Sequence, residues 1–238
     1  MLCNFDLHMH TYYSKDGACS PEAMIEAARA RGLQGIAITD HDTCEAVEYL
    51  REIGKIREDG MPVDGFLIVP GVEVSTAEGH LLCLGVTLPW MKGRPALEVC
   101  EEVHRRGGVV IPAHPYDTWR AGIREHVLET LPIDALEIFN AAVTRKRYNR
   151  QASEYARRRG VGLIAGSDSH HASAIGTAYT RFELPELNVA NLLTAIRTSG
   201  DVVQNYLSFR EGVKKHLGNW FRIFNPGPKP RISSKKLE

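Results

Sequence analysis

The sequence has few features of secreted, membrane-spanning or disulfide-bonded proteins. Its 238 residues include only five cysteines, an odd number without a Cys-x-x-Cys pair, which argues against a disulfide framework or a thiolate zinc site. No apolar run approaches the roughly 18–20 residues that a membrane span needs. The N-terminus lacks the basic start and apolar stretch of a signal peptide. We therefore expect a cytoplasmic protein with reduced thiols and no membrane partner.

The sequence also lacks net charge, because 29 basic residues balance 29 acidic ones. This balance argues against a surface that attracts nucleic acid throughout, but it does not exclude a local basic patch. Residues 212–238 form such a patch, since Glu238 is their one acidic residue. Their basic residues are Lys214, Lys215, Arg222, Lys229, Arg231, Lys235 and Lys236. We expect a single domain at 1–211 and a basic C-terminal tail at 212–238.

Short apolar runs alternate with helix-like segments along the chain. Strands are predicted at about 4–10, 35–39, 66–74, 81–86, 109–111, 135–139 and 161–165, and helices at about 20–32, 43–57, 95–106, 144–159 and 189–198. Ser20 should cap the first helix, and Asp42 or Thr43 should begin the second. Strands that alternate with helices are typical of a mostly parallel sheet. The number of these units predicts an α/β barrel rather than two domains.

Ionisable residues occur near the ends of many predicted strands. Asp6, His8 and His10 alternate along the first run, so they would share a strand face on which two imidazoles could converge on one metal ion. Buried charges are costly without partners, and the carboxyl ends of barrel strands meet on one face. These residues therefore predict a shared metal site. The candidate ligands are His8, His10, Asp16, His41, Glu73, His80, His114, Asp168 and His170.

This ligand set is too large for one metal ion. A zinc ion takes about four ligands, so the set suits two or three divalent ions. Nitrogen and oxygen ligands without thiolate fit Zn, Mn or Fe, and the sequence does not choose among these metals.

The motifs together resemble the PHP family, the polymerase and histidinol phosphatase domain superfamily. The matching segments, in family order, are 6–11 with 14–17, 38–42, 70–75, 113–115 and 166–170. The resemblance implies a distorted seven-stranded β/α barrel with a trinuclear site at the carboxyl ends of its strands. It assigns His8, His10, Glu73 and Asp168 to one metal, Asp16, His41 and His170 to a second, and Glu73, His80 and His114 to a third, with Glu73 bridging.

PHP proteins are chiefly phosphoesterases, so the resemblance implies hydrolysis of a phosphate ester. A cationic site suits a phosphate, and a metal-bound hydroxide would be placed to attack phosphorus. Asp40 is a candidate catalytic residue that would orient His41, and His171 could protonate a leaving group. The predicted substrate-binding residues are Tyr12, which could stack on a base, and Asn140, Arg145 and Lys146, which could contact phosphate.

The sequence leaves several functions open. The first is a phosphoesterase that acts on a nucleotide or another small phosphate. The second is an exonuclease that acts on RNA or DNA ends, which the basic tail and the basic helix at 144–159 favour. The third is a non-catalytic metal-binding or interaction module. Three acids without an evident bridging lysine disfavour an amidohydrolase. The natural substrate and the oligomeric state are not indicated.

Overall fold

The computed structural model describes residues 1–198 and 200–206. Its helices are α1 (Pro21–Ala30), α2 (Glu45–Glu52), α3 (Ala96–Arg105), α4 (Glu125–Leu128), α5 (Arg147–Arg159) and α6 (Val189–Thr198). Its strands are β1 (Leu2–Asp6), β2 (Gly35–Ala37), β3 (Leu67–Val69), β4 (Gly71–Ser75), β5 (His80–Leu84), β6 (Val109–Pro112), β7 (Ala135–Asn140), β8 (Gly162–Gly166), β9 (Tyr179–Glu183) and β10 (Asp201–Val203). The predicted domain boundary and basic tail lie outside the described residues.

These strands form three sheets, ordered β10-β9-β1-β2-β3, β4-β5-β6 and β7-β8. The pairs β1-β2, β2-β3 and β7-β8 are parallel. The pairs β1-β9, β9-β10, β4-β5 and β5-β6 are antiparallel. The fold is therefore α/β, as predicted, but the prediction of a mostly parallel sheet is wrong. Within the described part of the chain, strand pairing does not close one seven-stranded ring.

The predicted strand at 66–74 is two strands that Pro70 separates. β3 pairs with β2, whereas β4 pairs with β5, so the chain changes sheets at the proline. A tight turn then returns the chain, with Thr76 N donating to Gly79 O at 3.0 Å. A short turn can join antiparallel strands, whereas parallel strands need a long crossover. Local connection length therefore explains why β4 and β5 depart from the predicted parallel pattern.

The two predicted helix starts have different outcomes. Ser20 caps α1, as predicted, and its Oγ accepts a hydrogen bond from Ala23 N at 3.2 Å. Asp42 does not cap α2, which begins at Glu45. Its carboxylate instead accepts a hydrogen bond from Ser75 N at 2.7 Å and so ties the loop after β2 to β4. Thr43 Oγ1 accepts a hydrogen bond from Glu45 N at 3.2 Å.

Strands from all three sheets surround one apolar cluster. Phe5 of β1, Leu82 of β5 and Ile164 of β8 are fully buried in it, and Leu192 and Ile196 of α6 also belong to it. Burial of such side chains is the main favourable contribution to folding. Beyond one end of the cluster, isolated bridges between Met9 and Ser169 and between His41 and Glu73 connect segments of different sheets. Among the described helices, none is long and apolar enough to cross a membrane.

Candidate metal centre

The structure brings all nine predicted ligands together. They form four overlapping groups in which the ligand atoms lie within 4.8 Å of one another. The groups are His10 with Asp16, His41 and His170; His8 with His114 and Asp168; His8 with His10 and Glu73; and His41 with Glu73 and His80. The ligands come from β4, β5 and the segments that follow β1, β2, β6 and β8. The tertiary fold thus converts six separate sequence segments into one cluster.

The first histidine pair lies just beyond β1, which ends at Asp6. His10 N donates to Ser169 O at 2.8 Å, which keeps this segment aligned with the segment after β8. The His8 and His10 rings are 5.3 Å apart. Asp6 does not share the site, because its buried carboxylate accepts a hydrogen bond from Gly176 N at 2.7 Å. Burial raises the pKa of Asp6 to about 6, despite the hydrogen bonds that it accepts.

Glu73 on β4 lies at the centre of the cluster and is fully buried. Its Oε2 atom faces three histidines. It lies 3.3 Å from His8 Nε2, 3.2 Å from His10 Nε2 and 3.2 Å from His41 Nδ1. This oxygen and the three imidazoles can therefore serve as ligands of a cation between them.

The second oxygen of Glu73 faces a different pair of histidines. Its Oε1 atom lies 2.9 Å from His80 Nδ1 and 3.2 Å from His114 Nε2. A carboxylate has two ligand oxygens, and each can bind a different cation. Glu73 is therefore placed to join two groups of ligands.

Two further carboxylates extend the cluster. Asp168 Oδ1 lies 3.5 Å from both His10 Nε2 and His170 Nδ1. Asp16 Oδ2 lies 2.9 Å from His170 Nε2 and 3.7 Å from His41 Nε2. His10 thus belongs to two groups of ligands, whereas the resemblance to the PHP family implied that it binds a single metal ion.

Burial and charge act in opposite directions on the pKa values of the ligands. Burial lowers the pKa of His10, but Asp168 and Glu73 more than offset this effect and raise it to about 9. Burial dominates at His41 and lowers its pKa to about 4. Burial raises the pKa of Glu73, but the surrounding histidines together outweigh this effect, so its pKa lies well below the ordinary value. Glu73 is therefore held in the ionised form that binds a cation.

The donor set fits divalent metal ions. His41 Nδ1 and His114 Nδ1 are buried and make no hydrogen bond among the described residues. Buried polar atoms without hydrogen bonds cost free energy, and a bound ion can satisfy them. Imidazole nitrogen and carboxylate oxygen are suitable ligands for several divalent metals. The residues present therefore agree with a metal centre.

Glu137 on β7 supports this centre, and the sequence analysis missed it. Its Oε1 atom lies 2.9 Å from His8 Nδ1, which directs His8 Nε2 towards Glu73. Its Oε2 atom accepts a hydrogen bond from His114 N at 2.6 Å. A buried acid in a strand at 135–140 is the signal that could have identified it, because such an acid needs partners.

Asn140 lies behind the ligands and is fully buried. Its Nδ2 donates to Glu137 Oε2 and to Asp168 Oδ2, each at 3.0 Å. The amide of Asn140 thus contacts two carboxylates of the cluster, and its predicted substrate-binding role stays a prediction.

Asp40 organises the loop after β1. Its Oδ1 accepts hydrogen bonds from Thr11 N at 2.7 Å and from Ser14 Oγ at 2.8 Å, while its Oδ2 accepts one from Thr11 Oγ1 at 2.6 Å. Ser14 Oγ also accepts a hydrogen bond from His41 N at 2.8 Å. The predicted orienting effect of Asp40 on His41 thus acts through Ser14 and the backbone. These contacts agree with the orienting role, and a catalytic contribution of Asp40 stays a prediction.

Arg120 is a further residue that the sequence analysis missed. It is the last residue of a short 3₁₀ turn, Thr118–Arg120, and its guanidinium pairs with Asp168 Oδ2. The Asp168 charge raises the pKa of Arg120 above its ordinary value, although burial opposes the shift. Its sequence context carries no motif, so only the fold identifies this cation at the centre.

The other predicted substrate-binding and catalytic residues lie around the centre or away from it. His171 is exposed, and its Nδ1 accepts a hydrogen bond from Ser173 N at 3.2 Å. Tyr12 packs beside Tyr13, with ring centroids 5.1 Å apart. The remaining two predicted residues, Arg145 and Lys146, are exposed just before α5, and Lys146 Nζ lies 4.4 Å from the centre of the Tyr206 ring.

Comparisons with known proteins identify relatives for most of the chain. The family model described as PHP-associated matches residues 146–199. An uncharacterized protein of Methanocaldococcus jannaschii is 30% identical over 146 residues, which are 57% of this chain and 81% of the relative. The 5′-3′ exoribonuclease Rnm of Salmonella typhimurium is 32% identical over 129 residues, which are 50% of this chain but only 42% of that enzyme.

The fold is also found among solved structures. A two-domain protein from Bacteroides vulgatus, which contains a predicted PHP-like metal-dependent phosphoesterase, superposes with a TM-score of 0.69 at 15% identity. The match covers 92% of this chain and 70% of that one. Together with the clustered ligand motifs, these similarities show that the chain belongs to the PHP family.

Proposed function

We propose that the chain hydrolyses a phosphate ester at a trinuclear centre of divalent Zn, Mn or Fe ions. The observation that carries the proposal is the position of Glu73, whose two oxygens face separate sets of histidines within one cluster. The three metals would use the ligand groups around Asp168, Asp16 and Glu73. The proposed substrate is a nucleotide or another small phosphate, because cationic sites of this kind suit phosphate oxygens.

The residues of the chain would bind and orient the substrate in this proposal. Bound divalent ions would supply an activated water molecule and neutralise phosphate charge. Arg120 would bind a phosphate oxygen, since a guanidinium has five N–H donors and its contacts to Asp168 and Ala142 O use only some of them. Glu137 would hold His8 in its ligating orientation. His171, exposed beside His170, would protonate the leaving group.

The test combines metal analysis with hydrolysis of a panel of phosphate monoesters and diesters. We expect hydrolysis that depends on added Mn or Zn and falls at least about a hundredfold in His8→Ala and in Asp168→Ala. His104→Ala is the matched control, because His104 pairs with Asp134 at 2.8 Å and belongs to none of the ligand groups. Full metal occupancy without hydrolysis of any ester would refute the proposed activity. At most one bound ion per chain at saturation would refute the trinuclear arrangement.

A second candidate function is exonucleolytic cleavage of RNA or DNA. The similarity to the exoribonuclease Rnm favours it, as does the exposed basic side of α5, which includes Arg147, Arg150 and Arg157. Basic residues of this kind attract a nucleic-acid backbone. Deletion of residues 212–238 should then weaken turnover of an oligonucleotide more than turnover of a small ester. Equal effects on both substrates would count against a nuclease.

A further inference from the structure

A cleft extends outward from the metal centre. Its volume is about 490 Å³, within the range of small-molecule sites. Its lining includes Asp16, His41 and His80 of the ligand cluster, and also Trp90 and Lys92. A ligand in this cleft therefore reaches both the metal-binding side chains and an aromatic ring.

Trp90 is held in the cleft wall although 71% of its surface is exposed. Its neighbours on both sides are anchored, since Leu88 N donates to Cys44 Sγ at 3.4 Å and Met91 packs in the core. Pro89 restricts the backbone directly before it. A large aromatic ring exposed on an anchored segment beside a polar centre offers a stacking surface.

Two lysines, Lys15 and Lys92, line the same cleft as Trp90. Lys92 Nζ lies 2.8 Å from Asp42 Oδ2 and 6.0 Å from the centre of the Trp90 ring. Lys15 is exposed on the loop that carries Asp16 and also lines the cleft. These lysines can contact phosphate oxygens next to the metal centre.

Trp90 also borders a second depression. Its lining has three carboxylates, on Glu98, Glu101 and Glu102, which are balanced by the cations of Lys92, Arg94 and Arg105. None of the nine candidate metal ligands lines this depression, whereas three of them line the cleft. The cleft is therefore the one suited to a phosphorylated ligand, because bound metal ions attract phosphate oxygens.

We propose that this cleft binds the nucleoside of a nucleoside phosphate, with its base stacked on Trp90 and its phosphate between Lys15, Lys92 and the metal centre. The inference rests on the proposed phosphoesterase function and specifies its substrate class. Stacking tolerates any base, because every base has a π-face. The site should therefore select nucleotides over aliphatic phosphates without strong preference among bases.

The kinetic test compares the metal-loaded wild type with Trp90→Ala and Trp90→Phe. Substrates are the four nucleoside 5′-monophosphates and the aliphatic phosphate ester that the wild type cleaves best. We expect Trp90→Ala to raise KM for every nucleotide by roughly ten- to a hundredfold, to leave kcat within about twofold and to leave the aliphatic ester unaffected. Trp90→Phe should retain most of the nucleotide affinity. Trp119→Ala is the matched control, because Trp119 is 78% exposed and does not line the cleft.

A binding measurement separates this inference from the proposed activity. Adenosine 5′-monophosphorothioate should quench tryptophan fluorescence in the wild type and in Trp119→Ala, but not in Trp90→Ala. Unchanged nucleotide KM and quenching in Trp90→Ala would overturn the stacking site, even if the enzyme hydrolyses phosphate esters. Equal losses on nucleotide and aliphatic esters would also overturn it. Quenching that depends on Trp90 without hydrolysis of any ester would retain the site and refute the activity.

Discussion

At the scale of single residues, Glu137 determines which nitrogen of His8 can bind a metal. Its Oε1 atom lies 2.9 Å from His8 Nδ1, so the proton of neutral His8 belongs on Nδ1 and the Nε2 lone pair faces the centre. The same carboxylate accepts the backbone N–H of His114. One buried acid therefore sets the orientation of two ligand segments.

Glu137→Gln should weaken metal binding by about ten- to a hundredfold. An amide nitrogen next to His8 Nδ1 would favour the other tautomer, whose Nε2 carries a proton and cannot bind a metal. The reverse amide orientation would place that nitrogen against His114 N, where two donors meet. Isothermal titration with Mn or Zn measures the effect, and Glu154→Gln on the exposed side of α5 is the control. Unchanged metal affinity in Glu137→Gln would contradict this role.

At the scale of elements, the ligands depend on loops that fold against one another. The loop of residues 11–17 is held by Asp40 from the segment after β2, and Ala18 N donates to His170 O at 2.8 Å. Gly17 lies at the closest approach, because a Cβ at this position would overlap the carbonyl oxygen of Thr11. The loop that carries Asp16 therefore requires glycine for reasons of space.

Gly17→Ala should lower the free energy of unfolding by about 1–3 kcal/mol, the usual cost of forcing an extra methyl group into a packed region. It should also weaken metal binding, because backbone movement at Thr11 displaces Asp16. Urea denaturation and metal titration measure the two effects. Ala18→Ser is the control, since Ala18 is exposed on the same loop. Wild-type stability and metal affinity in Gly17→Ala would contradict the close packing of this loop.

At the scale of the whole molecule, the cluster connects segments that are far apart in sequence. Its ligands extend from His8 to His170, and they come from all three sheets or their connections. Bound ions would therefore link the sheets at one end of the apolar core. An ion that binds the folded chain stabilises it by mass action, by about 2.7 kcal/mol at a hundred times its Kd.

Chelation should therefore lower the Tm of the protein by several degrees, because a domain of 150–250 residues shifts by about 2–4 °C per kcal/mol. Addition of Mn or Zn in excess of the chelator should restore it. Differential scanning calorimetry measures the change, and Asp168→Ala is the comparison, since it should respond much less. An identical Tm with and without chelator in the wild type would show that metal binding is not coupled to folding.

The sequence was sufficient to predict which side chains cluster, although their role as metal ligands stays a prediction, and it did not predict the residues that contact them from behind. His8, His10 and the other ligands occur in short local motifs, and their side-chain chemistry limits what they can bind. Glu137 and Arg120 carry no such motif, and they contact the centre only because β7 and the turn after β6 fold against it. Asn140 was predicted to bind substrate, but its location behind the ligands depends on the packing of β7.

The antiparallel strands show that the fold, too, depends partly on local sequence pattern and partly on tertiary packing. Alternation of apolar runs and helices predicted an α/β chain, which the structure confirms. It did not predict β9 and β10, nor the antiparallel pairing of β4 with β5, because strand partners are decided by long-range hydrogen bonds and connection length. Composition and local pattern alone determined the α/β class and the metal-binding chemistry. The tertiary structure decided which distant segments meet, since convergence of side chains in space depends on how sheets and loops pack.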